Sequence, residues 1–95
     1  MTSTIVAQVV DKDQIQYLKF PKEDVLEKEG ERFDRSLELK RALYLGNLER
    51  EKVRITFRDD SGTKRVETTI WAVTDKSVIL KKSTIIPLTR IISVA

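Results

Sequence analysis

From residue 52 onward, hydrophobic and polar positions alternate with a period of two. Val53, Ile55 and Phe57 share one side of an extended segment, and Lys52, Arg54, Thr56 and Arg58 share the other. That is the pattern of a strand with one dry face and one wet face. Asp59-Asp60-Ser61-Gly62 then reverses the chain. Its Asp side chains can accept hydrogen bonds from the turn backbone, and Gly62 can take positive φ without a Cβ clash. The returning arm, Thr63 to Val73, sets Val66, Thr68, Ile70 and Ala72 against Glu67, Thr69, Trp71 and Val73. Shorter strands follow at 77–81, 84–86 and 91–94, with a brief helical turn at Leu88-Thr89-Arg90. Pro87 cannot donate to a ladder, so it belongs at a strand end or an edge.

Upstream the period changes. Between Lys22 and Leu48, Phe33, Leu37, Tyr44 and Leu48 fall on one helical stripe that Leu39, Leu43 and Leu45 widen. Gly30 is expected to divide this segment, leaving a firm helix over residues 31–45 that ends at a left-handed Gly46-Asn47 stop. Acidic Glu31 and Asp34 come early and basic Lys40 and Arg41 late, as the helix dipole favours. Before Pro21, β-branched residues at 2–10 and an extended pattern at 15–20 fit either a hairpin or an arm that orders against a partner.

These elements predict an α+β fold, mainly β. An N-terminal arm or β-hairpin (residues 1–21) precedes one domain (22–95), a helix followed by five short antiparallel strands. A returning arm long enough to bend suits a small closed or nearly closed barrel, because closure removes exposed edges. The helix would lie across one open end with its leucines plugging the core. Val53, Ile55, Phe57, Val66, Ile70, Val78, Leu80 and Ile91, with Leu39 and Leu43, are the expected core.

Composition narrows the chemistry more than it names it. The 95 residues include no cysteine and no histidine, so thiolate and imidazole ligands are absent, as is the commonest general base. No basic leader or membrane-length apolar run appears, and the default expectation is a cytoplasmic protein that contacts no membrane. Asp59 and Asp60 read as turn residues. Glu27, Glu29 and Glu31 do not converge on one helical face and read as solvated surface. The three glycines stand alone, so no phosphate-binding loop is present. The expectation is a protein that is not an enzyme and holds no cofactor or metal.

The charge is unequally divided. Residues 1–48 carry 8 basic and 9 acidic side chains, whereas residues 49–95 carry 10 and 6. The second half could therefore attract a polyanion. The candidate nucleic-acid-binding residues are Lys52, Arg54, Arg58, Lys64, Arg65, Lys81 and Lys82; the same residues also suit an ordinary solvated strand face. Trp71 has three readings open: returned to the core by a bulge, packed under the arm or a second subunit, or a ligand contact. Ile85-Ile86 and Ile91-Ile92 place apolar residues side by side, so one of each pair must face away from a one-sided core. Trp71, Ile85, Ile86 and Ile92 are accordingly the candidate interface residues of a homo-oligomer joined through the last strands or the arm.

From about Leu37 to Val94 the chain resembles the Sm-like domains, with an SH3-type small barrel. The residues that carry the likeness are Leu39-Lys40-Arg41-Ala42-Leu43, Val53-Arg54-Ile55-Thr56-Phe57 and the Gly62 turn, then Asp75-Lys76-Ser77-Val78-Ile79-Leu80-Lys81 and Ile85-Ile86-Pro87-Leu88-Thr89-Arg90-Ile91. The resemblance implies a helix on a five-stranded, strongly bent barrel, assembly into rings through the edge strands, and RNA binding. The Lys-His pair found near the last turn of the Hfq-type branch is replaced here by Pro87-Leu88-Thr89. The functional expectation is a non-catalytic small-barrel interaction module that self-associates, with RNA or single-stranded nucleic-acid binding on a basic strand face as the alternative.

Overall fold

A computed structural model describes residues 7–95 of the chain. In order, β1 (Gln8–Val9), α1 (Lys12–Ile15) and the long helix α2 (Glu29–Tyr44) come first. Six strands follow: β2 (Val53–Arg58), β3 (Thr63–Thr68), β4 (Ile70–Val73), β5 (Ser77–Leu80), β6 (Ile85–Pro87) and β7 (Ile91–Val94). The strands form two sheets, one ordered β1-β3-β2-β7 and the other β4-β5-β6. Thr69 alone separates β3 from β4, so the expected long returning arm passes from one sheet into the other. Among the described residues, no strand pairing closes the two sheets into a single barrel. The fold is α+β, with one long helix against two mostly antiparallel sheets.

The alternation read from the sequence fixes the register. Phe57 lies opposite Lys64, Ile55 opposite Val66 and Val53 opposite Thr68 across β2–β3. Val53, Ile55, Phe57, Val66, Ile70, Val78, Leu80 and Ile91 are all buried, as is Leu39, while Leu43 packs half-buried at their margin. Val10, Ile15, Ile86 and Val94 join the same cluster. A 3₁₀ turn at Leu88–Arg90 leads into β7.

Three expectations need correction. Residues 15–20 do not form the second arm of a hairpin. Instead β1 runs parallel to β3, pairing Gln8 with Lys64 and Val9 with Arg65, and Asp11 opens a short helix that ends at Ile15. The Asp11 N–H donates to Gln14 Oε1 at 2.9 Å. This exchange between a helix start and the third residue beyond it is a local signal that the apolar pattern conceals. Ile15 is almost completely buried, so the described part of the arm orders against its own chain. Of the expected strand over residues 2–10, positions 2–6 lie outside the described residues.

Gly30 does not divide the helix but sits in its first turn, and Gly46 does not stop it. The chain continues from Leu45 to Glu49 as a π-helical turn and reverses at Arg50, which takes φ 54°. The third correction concerns which side of α2 faces in. Arg35, Leu39, Ala42 and Gly46 are buried, whereas Phe33, Leu37, Tyr44 and Leu48 are exposed. The reason is closeness of approach. A Cβ on Gly46 would collide with the Ile70 carbonyl oxygen, so the turn that continues α2 lies against β4 with no room for a side chain at that position. No helix among the described residues is long and apolar enough to cross a membrane.

Candidate functional site

The basic residues expected to act together are spread over several surfaces. On the outward side of β2 and β3, Arg54, Thr56 and Arg58 lie across from Glu67, Arg65 and Thr63. This brings three arginines onto one face as diagonal neighbours, about 7–8 Å apart at the backbone. Arg54 is partly neutralised by Glu67 at 3.5 Å, with both side chains well exposed. Lys52 is exposed just before β2. Lys81 and Lys82 are exposed at the link between β5 and β6, in the other sheet.

Lys64 is not part of the outward track. Alternation puts it on the same side as Val66 and Thr68, and it is buried. Its ammonium lies 2.8 Å from Asp59 Oδ2 and donates to Ser61 Oγ at 2.9 Å. Asp59 Oδ1 also accepts from the N–H groups of Ser61 and Gly62, each at 2.9 Å. Burial alone would push the Asp59 carboxyl up. The hydrogen bonds from Lys64, Ser61 and Gly62 outweigh it and hold the group below the ordinary Asp range. Asp59 is thus the organiser of its turn, with Lys64 as its counter-ion.

Two buried arginines were not anticipated. Arg35, on the inner side of α2, forms a bidentate pair with Asp24, both bonds 2.8 Å, and donates to the Ile91 carbonyl at 3.1 Å. The Asp24 carboxyl is held below its ordinary range, first by the Arg35 hydrogen bond and then by the Leu26 N–H and the Arg35 and Arg32 charges, against an opposing push from burial. Arg90 reaches the carbonyls of Arg58, Glu23 and Asp59 from the 3₁₀ turn. Together they tie the segment before α2 to the sheets. Arginine satisfies several carbonyls from one planar group, which makes it suited to such seams, but no short motif announces that use.

Trp71 resolves between its three readings in an unexpected way. A bulge does lie at this point, because Ile70 pairs with Leu80 and Ala72 with Ile79, leaving Trp71 as the extra residue. The bulge does not return Trp71 to the core; it remains 47% exposed. It lines an open cleft of about 340 Å³ together with Gly46, Asn47, Arg50, Thr69 and Lys81. Among the described residues, no carboxylate lies within ion-pair distance of Arg50 or Lys81. Left-handed backbone recurs around this cleft, at Arg50, Lys82 and Ser83.

The apolar pairs at the end of the chain split as expected, one in and one out. Ile86 is fully buried, which removes it from the candidate interface. Ile85 is exposed on β6, an edge of the three-stranded sheet, and Ile92 is half-buried on β7, an edge of the other.

A row of exposed apolar side chains lies on the helical stripe whose leucines were expected to plug the core. Phe33, Leu37, Tyr44 and Leu48 are 63%, 48%, 61% and 64% exposed. At about 100° per residue, Phe33, Leu37 and Tyr44 fall within about 40° of one another, on the side of α2 opposite Arg35, Leu39 and Ala42. Isolated exposed hydrophobics are ordinary, but a row of large ones along one helix is the mark of an interaction surface. Among the described residues, no group of three or more potential metal-ligating side chains gathers at one point. Comparison with protein-family models, curated proteins and solved structures finds no match to this chain.

Proposed function

We propose that this chain is a non-catalytic interaction module of the small-barrel type that associates with copies of itself. The observation that carries the reading is the row of exposed large apolar side chains on α2, backed by a helix already seated through its other side. Water gains little by covering such a row, and a second protein surface gains its burial free energy, about 25 cal/mol per Å² of apolar area. Six strands after a helix, with β3 and β4 joined through Thr69 as one arm that passes between the sheets, and a 3₁₀ turn before the last strand support an Sm-like module of this kind, with the cytoplasm as its expected location. The direct test is light scattering over a concentration series. A mass rising above the 11.0 kDa of one chain is expected. A monomer persisting at about 100 µM, where even a weak specific interface is populated, would remove the self-associating part.

A second reading, weak single-stranded nucleic-acid binding, is favoured by one observation. Trp71 is exposed beside Arg50 and Lys81, two cations without a carboxylate partner among the described residues, so a base could stack where a phosphate is held. The three arginines of the β2–β3 face extend the positive surface. Trp71 is the only tryptophan, so its fluorescence reports directly on this cleft. Quenching by an unstructured oligonucleotide that fades as salt rises supports the reading. An unchanged Trp71 signal at low salt opposes it.

A further inference from the structure

Resting on the self-association just proposed, we infer that the partner is a second copy of this chain, docked through α2 against α2 in antiparallel, two-fold symmetric fashion. Charge is what identifies the occupant. At the start of the helix Asp24 engages both Arg35 and Arg32, at 2.8 and 3.4 Å. This leaves Glu29, Glu31 and Asp34 without a cationic partner among the described residues. In the second half, Lys40 and Arg41 likewise have no carboxylate within ion-pair distance there, and Glu38 is occupied by the Val94 N–H at 2.8 Å. Of these, Glu29 and Asp34 flank the apolar row at one end and Lys40 and Arg41 lie in or beside it at the other, so the outward side of α2 is acidic at one end and basic at the other. A surface of that kind is complementary to its own reverse, and antiparallel alignment also opposes the two helix dipoles favourably.

The positions fix a register. At about 100° per residue, Asp34 and Arg41 lie on the same flank of the apolar row, about 20° apart around the helix. In a two-fold antiparallel pair, residues on the same flank meet. With the axis near Leu37, Asp34 of each helix comes opposite Arg41 of the other, twice per dimer. Leu37 then packs against its own copy at the centre, and Phe33 of one helix lies near Tyr44 of the other. Gly30 lies on this row too. It has open space around its missing Cβ and no positive φ that would demand glycine. In the pair it leaves a flat place beside Tyr44 of the partner subunit. Lys40, within the row, can lay its aliphatic stem along the seam and carry its ammonium to water. The contact is one helix face about 24 Å long, small beside a standard interface, so a reversible dimer is expected.

Charge reversal in the full chain tests this. Asp34→Arg places arginine opposite Arg41 of its mate, and Arg41→Asp places aspartate opposite Asp34. Each single variant should weaken the dimer about tenfold by sedimentation equilibrium. A one-to-one mixture of the two should regain it as a heterodimer, and the double variant D34R/R41D should regain it alone. Leu37→Glu should abolish it while far-UV circular dichroism and the melting temperature at monomeric concentration stay close to wild type. A wild-type oligomer that L37E and both single reversals leave intact overturns the α2 pairing and leaves self-association standing through another surface. Weakening by each single reversal without recovery in the mixture and in the double variant overturns the antiparallel register. A wild-type monomer throughout overturns both the inference and the reading beneath it. A wild-type monomer that captures a different protein through Leu37 likewise overturns the choice of a second copy.

Discussion

The two sides of α2 and of the π-helical turn that continues it bury the less hydrophobic set and expose the more hydrophobic one. The inner side is built from Arg35, Leu39, Ala42 and Gly46, and the outer side from Phe33, Leu37, Tyr44 and Leu48. Hydrophobicity alone ranks the outer side as the buried one. What decides the matter is distance: the turn that continues the helix meets the Ile70 backbone, with no room for a side chain at Gly46. Farther up, Arg35 is used inside because Asp24 and the Ile91 carbonyl accept from its two Nη groups, leaving its Nε without a partner among the described residues. A helix with spare apolar residues on its far side has more to bury than its own domain can cover.

The sharpest way to break this comparison uses one residue type at two positions. Leu39→Ala should cost about 2–5 kcal/mol, because Leu39 is buried among the sheets. Leu37→Ala, two residues earlier, should change monomer stability by no more than about 0.5 kcal/mol. Urea unfolding at a monomeric concentration measures both, and equal costs would mean that the helix is rotated from the orientation described. Next in size is Asp24→Asn, which strips a charged partner from buried Arg35. Breaking a fully buried pair costs about 3–5 kcal/mol, and the partial exposure of Asp24 lowers this to about 2–3. Gly46→Ala should follow at about 1–3 kcal/mol, the scale of overpacking, since the new methyl meets backbone rather than a yielding side chain. Gly30→Ala, with open space around it, should instead stabilise the monomer by about 0.5 kcal/mol.

The pH dependence has a definite sign. Asp24 and Asp59 both titrate below the ordinary Asp range in the folded chain. Their stabilising contribution is complete above the unfolded value, near pH 4, and is lost as pH falls through the depressed folded values. Thermal melting should therefore show little change between pH 5 and 7, as far as these two groups are concerned, and a decline below about pH 4. The decline should be smaller in Asp24→Asn, which has already lost one of the two contributions.

The strands were legible because a period of two with one buried face leaves a single workable register. The inward run Val53, Ile55 and Phe57 and its partners follow from it. Lys64 was legible by the same rule, as it alternates with Val66 and Thr68; grouping it by charge with Arg65 concealed its pairing with Asp59. The orientation of α2 was not legible, because a sequence window does not contain the distance between Gly46 and Ile70. The exposure of Trp71 depends on a bulge in β4–β5, a pairing between segments that alternation in either one does not reveal. Of the expected interface, Ile85 and Trp71 stand exposed and Ile92 half-exposed, while Ile86 went to the core. Of the helix leucines expected to plug the core, Leu39 and Leu43 pack inward, while Leu37 and Leu48 stand outside with Phe33 and Tyr44.

The most direct measurement of where this molecule meets its partner is a set of ¹⁵N–¹H correlation spectra of the wild-type chain across a dilution series. Concentration-dependent shifts are expected to gather on α2, at Phe33, Leu37 and Tyr44, and to leave Ile85 on β6 and Ile92 on β7 unmoved. Shifts confined to β6 and β7, with α2 unchanged, would contradict the α2 pairing and return the interface to the sheet edges.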